Sequence, residues 1–354
     1  SAGLSHRRSR VRAPSAPPEP ALRDEVSGSA CLGMRGRPFS PNRSVDLTAT
    51  AFHVPVLARV MREWAAGVRR AVDATAGGGG HAALLRAAGA EVLAIDRDPD
   101  ALAAAREALG RDGFTYLAAP FGSPEALAAV ATFRPDHIFA DLGVSSHQLD
   151  DIGRGFTFRT GAPLDMRMTP GRGASAADLL NSWPEPRLTA AFAVDADEPR
   201  ARALARAIVR RRTHAPFRDS DDLVKAIREV LGSRSGPADF ARLFQAVRIA
   251  VNDEHEQLTQ ALPAFRDALV PGGRLGVIAY HSGEDRVVKQ AFREWGRTCI
   301  CPPRQPVCTC RGRALGIVLT KKAVVPDADE VFVNPRSRSA RFRAFATPEA
   351  GHGA

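Results

Sequence analysis

The sequence predicts an α/β fold in which an all-helical insertion interrupts a mostly parallel sheet. From about residue 48, short apolar segments typical of strands alternate with segments of helical periodicity. This alternation stops near residue 150, and helix-like segments follow. They end at the Pro-Gly-Gly sequence 271–273, after which segments typical of strands return. Alternating strands and helices form βαβ units, which build a parallel sheet covered by helices.

The first part of the chain contains four predicted strands separated by three predicted helices. Asp98 followed by Pro99 marks the clearest boundary, because a capping carboxylate before a proline is a strong helix start. Right-handed crossovers bring the carboxyl ends of parallel strands to one edge of the sheet, where ligands bind. The predicted strands are 70–76, 90–98, 114–120 and 136–144, and the predicted helices are 81–89, 98–109 and 123–133.

The second part begins with a Gly- and Arg-rich loop at 151–173. The predicted helices that follow are 175–183, 199–212, 220–232 and 241–270, the last with a break at Pro263 as one option. The predicted strands are 274–282, 316–325 and 338–346. Because the last two have no clear helix between them, we expect an antiparallel hairpin at the sheet edge.

These patterns divide the chain into five predicted regions. They are a disordered basic tail (1–45), the first part of the α/β core (46–150), a helical insertion for substrate recognition (151–240), the rest of the core with a cysteine cluster (241–346), and a disordered tail (347–354).

Composition narrows the class of partner. The 354 residues are 44% hydrophobic and 25% charged, which allows a buried core, and no apolar run is long enough to predict a membrane span. The net charge of +10 favours a polyanion as partner, with nucleic acid as the first candidate. The clustering of four of the five cysteines argues against a secreted disulfide framework and predicts a reducing compartment.

A run of four glycines, Gly77 to Gly80, follows the first predicted strand and precedes a helix. A backbone without Cβ atoms lets a ligand approach closely, and the helix N-terminus favours a negative group. Asp96 ends the next predicted strand, where an acid can accept two ribose hydroxyls. The pattern fits a dinucleotide, because Gly77, Gly79 and Ala82 match G-x-G-x-x-A, or S-adenosylmethionine.

The resemblance to a known family favours the second ligand. Eight sequence blocks carry this resemblance, and they are "FHVPVL" (52–57), "DATAGGGGH" (73–81), "AIDRDPDAL" (94–102), "DLGVSSHQLDD" (141–151), "RGFTFRTGAPLDMRM" (154–168), "FQAVRIAVNDE" (244–254), "HSGEDRVVK" (281–289) and "NPRSRSARFR" (334–343). Together they resemble the bacterial small-subunit rRNA cytosine-N4 methyltransferases, the RsmH (MraW) family, over roughly residues 50 to 345.

This resemblance implies a class I S-adenosylmethionine-dependent methyltransferase, a Rossmann-like fold with a helical insertion. It implies a cytidine in the decoding centre of 16S rRNA in the 30S subunit as acceptor, and hence a cytoplasmic enzyme. The oligomeric state stays open, with a homodimer as one option. The cofactor contacts that the family implies are Gly79, Gly80 and His81 in the loop, Asp96 on the ribose, Phe121 on the adenine, and Asp141 and Gln148 at the methionine and reacting end.

Methyl transfer to cytosine N4 needs an acceptor for an N4 hydrogen, because the N4 lone pair is shared with the ring. Asp141 stands at the end of the fourth predicted strand and either orients this group or holds the amino group of the cofactor. The chain lacks the Pro-Pro-aromatic motif of many amino-methyltransferases, since Leu142 to Val144 occupy its place. The candidates for stacking the base or acting beside it are Phe156, Phe158, Tyr280 and His281.

Arginines are the predicted RNA contacts, and they are Arg210, Arg211, Arg212, Arg248, Arg336 and Arg338. Gln245, Arg248 and Asn252 share one face of the long predicted helix. That face either contacts the target nucleotide or ties the insertion to the sheet.

The cysteines form two CxC pairs, Cys299 with Cys301 and Cys308 with Cys310. Four thiolates can hold a structural zinc ion, although CxxC is the usual spacing, and reduced thiols without metal are the alternative. Two other functions remain open at this point. The glycine pattern alone would suit an NAD(P)-dependent oxidoreductase, and a relict cofactor pocket would suit a non-catalytic rRNA-binding assembly factor.

Overall fold

The computed structural model describes residues 55–351, so the predicted basic tail at 1–45 and the last three residues of the predicted tail at 347–354 lie outside it. The sheet has seven strands in the order β3-β2-β1-β4-β5-β7-β6. The strands are β1 (Arg70–Asp73), β2 (Glu91–Asp96), β3 (Phe114–Ala118), β4 (His137–Asp141), β5 (Arg274–Ala279), β6 (Ile317–Val318) and β7 (Arg341–Ala346).

Strands β1 to β5 are parallel, whereas β7 runs antiparallel to β5 and β6. The mostly parallel α/β sheet predicted from the sequence is confirmed. Asp141 of β4 pairs with Ile278 of β5, although the whole insertion lies between these two strands in the sequence. The carboxyl ends of five parallel strands therefore meet at one edge.

Helices surround the sheet and fill the insertion. They are α1 (Ala58–Trp64), α2 (Gly80–Ala87), α3 (Pro99–Leu109), α4 (Pro124–Phe133), α5 (Ser146–Asp150), α6 (Ala176–Ser182), α7 (Glu185–Asp195), α8 (Ala201–Arg212), α9 (Ser220–Leu231), α10 (Pro237–Asn252), α11 (Glu254–Ala268), α12 (Ser282–Trp295) and α13 (Ala328–Val333). The predicted start of α3 is confirmed, since Asp98 accepts a hydrogen bond from the Asp100 N–H and Pro99 is the first helical residue.

The inserted helices have an apolar core of their own, which spans Leu164 to Val247 and contains Phe192, Ile208 and Leu223. It is distinct from the two clusters on the faces of the sheet. Helix α10 connects the insertion to the sheet, because Phe240 to Val247 pack in the insertion core while the carbonyl of its last residue, Asn252, accepts a hydrogen bond from Arg97 after β2 at 2.7 Å. The predicted domain boundaries stay a prediction.

The break in the long predicted helix falls at Asp253, so the option of a break at Pro263 was wrong. Asp253 has a left-handed backbone (φ 52°) and ends α10, while Pro263 lies inside α11. The side chain of Asn252 fixes this end by donating to the Met166 carbonyl and accepting from the Met168 N–H, both at 2.8 Å. Helices α1, α5, α7, α12 and α13 were not predicted.

The predicted hairpin at the sheet edge is confirmed only as an antiparallel pairing of β6 with β7. The predicted strand at 316–325 shortens to two residues, and α13 lies in the connection. The ladder stops at Thr320 because its hydroxyl accepts the Ala344 N–H, which a strand carbonyl would otherwise take. Between residues 55 and 351, no helix combines the length and apolar character that crossing a membrane requires.

Candidate active site at the carboxyl edge of the sheet

The glycine turn between β1 and α2 is held by the next strand. Gly77 (φ 51°) donates its N–H to Asp96 Oδ2 at 2.8 Å, and Gly79 (φ 87°) precedes α2 in a left-handed conformation. The positive φ of Gly79 strains any residue with a Cβ atom, and such an atom would also lie 2.6 Å from a methyl carbon of Leu109, so glycine is strongly favoured here. No hydrogen bond from a described side chain caps α2. The turn therefore presents backbone and the start of a helix to a ligand.

Asp96 closes β2 and is oriented by two backbone groups. One carboxylate oxygen accepts from Gly77 and the other from the Asp98 N–H, both at 2.8 Å. Burial raises the pKa of Asp96, and the two backbone hydrogen bonds offset part of that shift. Each carboxylate oxygen can accept more than one hydrogen bond, so the group can still receive a pair of hydroxyls.

Gln148 is buried and joins the start of the insertion to α3. Its side-chain nitrogen donates to Asp98 Oδ2 at 2.8 Å, and its oxygen accepts from the Ser145 N–H at 3.1 Å. Arg154 donates to the same Asp98 oxygen at 3.0 Å. Asp98 is thus more than a helix cap, because it anchors Gln148 and Arg154 beside the site.

His81 is buried at the start of α2 between two oxygen atoms. Its Nε2 atom lies 2.9 Å from the Val56 carbonyl oxygen, and its Nδ1 atom lies 3.6 Å from Asp141 Oδ2. Burial lowers the pKa of His81, which favours the neutral ring. Because a carbonyl can only accept, we assign the proton to Nε2. The Nδ1 lone pair then faces the Asp141 carboxyl group.

Asp141 ends β4, and its backbone N–H donates to the Thr75 hydroxyl at 2.6 Å. Burial raises the pKa of Asp141 to about 7, although the Tyr280 hydroxyl opposes this rise. Its Oδ1 atom is buried and has no hydrogen-bond partner among the described residues. The Nδ1 lone pair of His81 and the carboxylate of Asp141 are both hydrogen-bond acceptors, and they face each other. A hydrogen-bond donor must therefore lie between them, and it is either the proton of the Asp141 carboxyl group or an N–H of a ligand.

Asp73 is a third strand-end carboxylate, which was not among the predicted site residues. It closes β1, is fully buried, and accepts from the Thr75 N–H at 3.2 Å. Burial raises its pKa to about 7, although the hydrogen bond from the Thr75 N–H opposes this rise. The rule that singled out Asp96 and Asp141 could have found it, since all three are the last residues of neighbouring parallel strands.

Tyr280 and His281 follow β5 and are held by Glu284, a buried residue that the sequence analysis did not single out. Glu284 accepts the Tyr280 N–H at 3.0 Å, and its other carboxylate oxygen lies 3.1 Å from His281 Nε2. Burial raises the pKa of Tyr280, and the neighbouring Asp141 raises it further, so the phenol stays protonated. Tyr280 therefore lies beside Asp141, whereas His281 lies at the edge of the site.

The aromatic candidates separate into two groups. Phe121 follows β3 and packs partly buried against the sheet cluster, with Phe265 as its ring neighbour at 6.4 Å. Phe158 contacts the rings of Phe240 and Phe244 in the insertion, and Phe156 is partly buried against the same cluster. Phe158 is thus engaged in the insertion core, which leaves the residues after β5 as the better placed pair for stacking.

A cavity of about 410 Å³ lies between the insertion and the β5–α12 junction. Gln245 lines it from α10, Asp197 from the α7–α8 turn, and His281 and Ser282 from the core. The Ser282 hydroxyl and Asp197 Oδ2 are 3.3 Å apart across this junction. On the polar face of α10, Gln245 lines the cavity, whereas the Asn252 side chain forms hydrogen bonds with the loop at 166–168.

The predicted RNA contacts differ in their exposure. Arg248 forms a two-bond ion pair with Glu254, at 2.8 and 2.9 Å, and its side chain is only 14% exposed. Arg212 donates to two carbonyl groups of the insertion. Solvent reaches the remaining four, which are Arg210, Arg211, Arg336 and Arg338, and the first three pair with surface carboxylates.

The four cysteines lie together in the loop between α12 and β6, with their Sγ atoms within 4.8 Å of one another. The residues gathered at the carboxyl edge of the sheet are the glycine turn with His81, the strand-end acids, Gln148, Phe121 and the Tyr280–His281 pair. The exposed arginines and the cysteines do not belong to this group.

A parallel sheet of this strand order, with a glycine turn after β1 and an acid closing β2, defines a class I methyltransferase fold. Residues 50–347 match the model of the MraW methylase family. The chain belongs to this family.

Relatives named ribosomal RNA small subunit methyltransferase H support the same assignment. The protein from Gemmatimonas aurantiaca is 54% identical over 312 residues, covering 87% of this chain and 99% of that one. The protein from Thermomicrobium roseum is 46% identical over 283 residues, covering 78% and 86%. A putative methyltransferase from Streptococcus mutans, solved in complex with SAH, aligns over 81% of this chain and 96% of that chain at 12% identity with a TM-score of 0.36. A TM-score this low adds nothing to the assignment.

Proposed function

We propose that the chain transfers a methyl group from S-adenosylmethionine to small-subunit ribosomal RNA, and that the acceptor is N4 of a cytidine in the decoding centre. The names of the relatives support the RNA class. The cytidine and its position rest on the family resemblance in the sequence. This substrate would make the enzyme cytoplasmic.

One observation carries the proposal for the cofactor. The buried Oδ1 atom of Asp141 lacks a partner among the described residues, and the Nδ1 atom of a neutral His81 lies 3.6 Å from the other carboxylate oxygen. Acceptors in this arrangement fit an ammonium group with several N–H donors. We therefore assign Asp141 to the amino group of the methionine part, and His81 to the same group or to a neighbouring water.

The remaining contacts follow from positions around the turn. Asp96 would accept the ribose hydroxyls, Phe121 would pack on the adenine, and Gly80 would face the carboxylate with its backbone N–H. Gly79, whose N–H already donates to the Ala76 carbonyl at 2.7 Å, would let the ligand approach the backbone closely. Gln148, held by Asp98, would line the methionine and reacting end. When bound, S-adenosylmethionine supplies a methyl group on a positively charged sulfur atom. The chain has to position the acceptor and exclude water.

The acceptor base would enter through the cavity between α10 and the β5–α12 junction. A cytosine presents an N4 amino group, an N3 acceptor and an O2 acceptor, so it needs donors and acceptors on different sides. Gln245 offers both kinds of group, and His281 offers a ring for stacking or a hydrogen bond. Tyr280 would link this pocket to Asp141. The exposed arginines would contact phosphates.

The affinity for S-adenosylmethionine should depend on pH through Asp141. Its pKa of about 7 means that the carboxyl group is protonated below this pH, and a cationic ligand favours the charged form. Binding then releases a proton, so affinity should rise from about pH 6 to about pH 8 and level off above. Calorimetry in buffers of different ionisation enthalpy measures both quantities.

The charged or titratable neighbours of Asp141 are Asp73 on β1, His81 on α2, Tyr280 after β5 and Glu284 on α12. Only Asp73 has a similar pKa, so the Asp141→Asn variant should retain a weaker dependence. An affinity that is flat with pH, with no proton release, would contradict an ammonium partner for Asp141.

Labelled S-adenosylmethionine and small subunits from cells that lack the gene test the proposed reaction. We expect one label per subunit, and mass spectrometry of nuclease digests should place it on a cytidine as N4-methylcytidine. Label on another base would refute the N4 assignment, and no label on free rRNA or on subunits would refute the enzyme. The second outcome is the one expected of a non-catalytic assembly factor.

Membership of a methylase family removes the support for a nicotinamide oxidoreductase, which rested on the glycine pattern alone. The zinc ion predicted from the cysteines would be structural, because methyl transfer to nitrogen requires no metal. A homodimer stays a prediction.

A further inference from the structure

The loop between α12 and β6, residues 297–315, is a segment that the methyl-transfer chemistry does not use; we call it the Cys loop. It contains no residue of the buried core, and Ile300 and Val307 are exposed. Structureless loops of this length are uncommon in compact domains. An ordered loop without an apolar core needs another source of cohesion, such as a metal or disulfide bonds.

The sulfur atoms of the Cys loop converge on one point. Cys308 Sγ lies 3.9 Å from Cys299, 3.9 Å from Cys301 and 3.5 Å from Cys310. Cys310 lies 3.9 Å from Cys299. A tetrahedron with zinc–sulfur bonds of about 2.3 Å has edges of about 3.8 Å. Four of the six edges lie between 3.5 and 3.9 Å and all six are within 4.8 Å, so the centre of the cluster has about the size of a zinc site.

Disulfide bonds fit this arrangement poorly. A disulfide needs sulfur atoms about 2.05 Å apart, and two of them would draw the four atoms into two close pairs. Here Cys308 approaches three different partners at similar distances, and all four thiols are free. The Ile300 N–H also points to Cys310 Sγ at 3.4 Å, which would stabilise a thiolate ligand.

The base of the Cys loop is attached to the catalytic core. Leu315 donates its N–H to the Trp295 carbonyl at 2.7 Å, which brings the two ends of the loop together. Arg311 donates to the carbonyl oxygen atoms of Glu294 and Arg297 at the end of α12. Trp295 is itself buried against Phe345 of β7. Ligands fixed in this way form a closed four-coordinate site, which is typical of structural zinc.

We propose that Cys299, Cys301, Cys308 and Cys310 bind one zinc ion that orders the Cys loop. The ion has four protein ligands and no open position, so it takes no part in the methyl transfer. Zinc binding displaces the thiol protons to solvent, and no oxidant or reductant is needed.

The full chain, purified without a metal-affinity tag or chelator, provides the test. Elemental analysis should find about one zinc per chain. Cys308→Ser should lower this to less than a tenth of an equivalent, whereas Cys31→Ser, which removes the one cysteine outside the cluster, should leave it unchanged. Cobalt(II) added to the metal-free chain should give the absorption of tetrahedral thiolate coordination, a readout that needs no folded variant.

Three outcomes would overturn the proposal. They are less than a tenth of an equivalent of zinc in the wild-type chain with no uptake of added zinc, equal loss of zinc in Cys31→Ser, and a cobalt spectrum without thiolate bands. One equivalent of iron would overturn the assignment to zinc. None of these outcomes bears on methyl transfer, which is measured separately.

Discussion

Replacing Asp141 with asparagine should weaken S-adenosylmethionine binding roughly ten- to hundredfold, the scale of one hydrogen bond to a charged group. Asparagine keeps the shape of the side chain, and its backbone bond to Thr75 is unaffected. It cannot become negative, and its amide hydrogens would face the donors of a ligand ammonium. Calorimetric titration of the wild-type and variant chains measures the change.

The same substitution distinguishes two roles for Asp141. If the residue held cytosine N4 instead, turnover would fall while cofactor affinity stayed at the wild-type level. Asp112→Asn is the matched control, because Asp112 is 98% exposed and lies on a surface loop. Wild-type affinity and wild-type turnover in the Asp141 variant would remove this residue from the site altogether.

Much of the sheet was predictable because parallel strands have local signatures. The strands from β1 to β5 are short apolar segments, and capping residues such as Asp98 and Ser123 mark the helices between them. The edge of the sheet was less predictable. The end of β6 depends on a hydrogen bond between Thr320 and Ala344, which are distant in the sequence.

The helix break shows the same limit. Proline is the obvious local candidate, yet the chain breaks at Asp253, where the buried side chain of Asn252 is held by Met166 and Met168 across the interface with the insertion. No pattern within the helix encodes this contact. Tertiary hydrogen bonds decided the position of the break, and the helix continued through Pro263.

At the site, individual residues could be predicted from the sequence, but their hydrogen-bond and ion-pair partners could not. Strand ends and the glycine run indicate Asp96 and Asp141, and the same rule would have included Asp73. The family resemblance supplied Gln148, but its anchoring by Asp98 could not be read from the sequence, because their separation says nothing of contact. Arg248 looked like an RNA contact, but its charge is matched by Glu254, the first residue after the helix break.

Replacing Asp96 with alanine should have the largest effect, lowering the affinity for S-adenosylmethionine by roughly a hundredfold or more. Two hydroxyl hydrogen bonds to a carboxylate are lost, each worth roughly 1.5–3 kcal/mol. The N–H groups of Gly77 and Asp98 also lose their acceptor, so the glycine turn loses its anchor. Asp100→Ala, an exposed acid in the first turn of α3, should bind normally.

A deoxy analogue separates the direct contact from the loosened turn. S-adenosylhomocysteine lacking a ribose hydroxyl should bind the wild-type chain more weakly than the parent compound, because the Asp96 carboxylate loses a donor. In Asp96→Ala the two compounds should bind alike, since no carboxylate remains to distinguish them. If the deoxy compound bound the variant as poorly relative to its parent as it binds the wild type, Asp96 would act only by holding the Gly77 turn, and another residue would have to recognise the ribose.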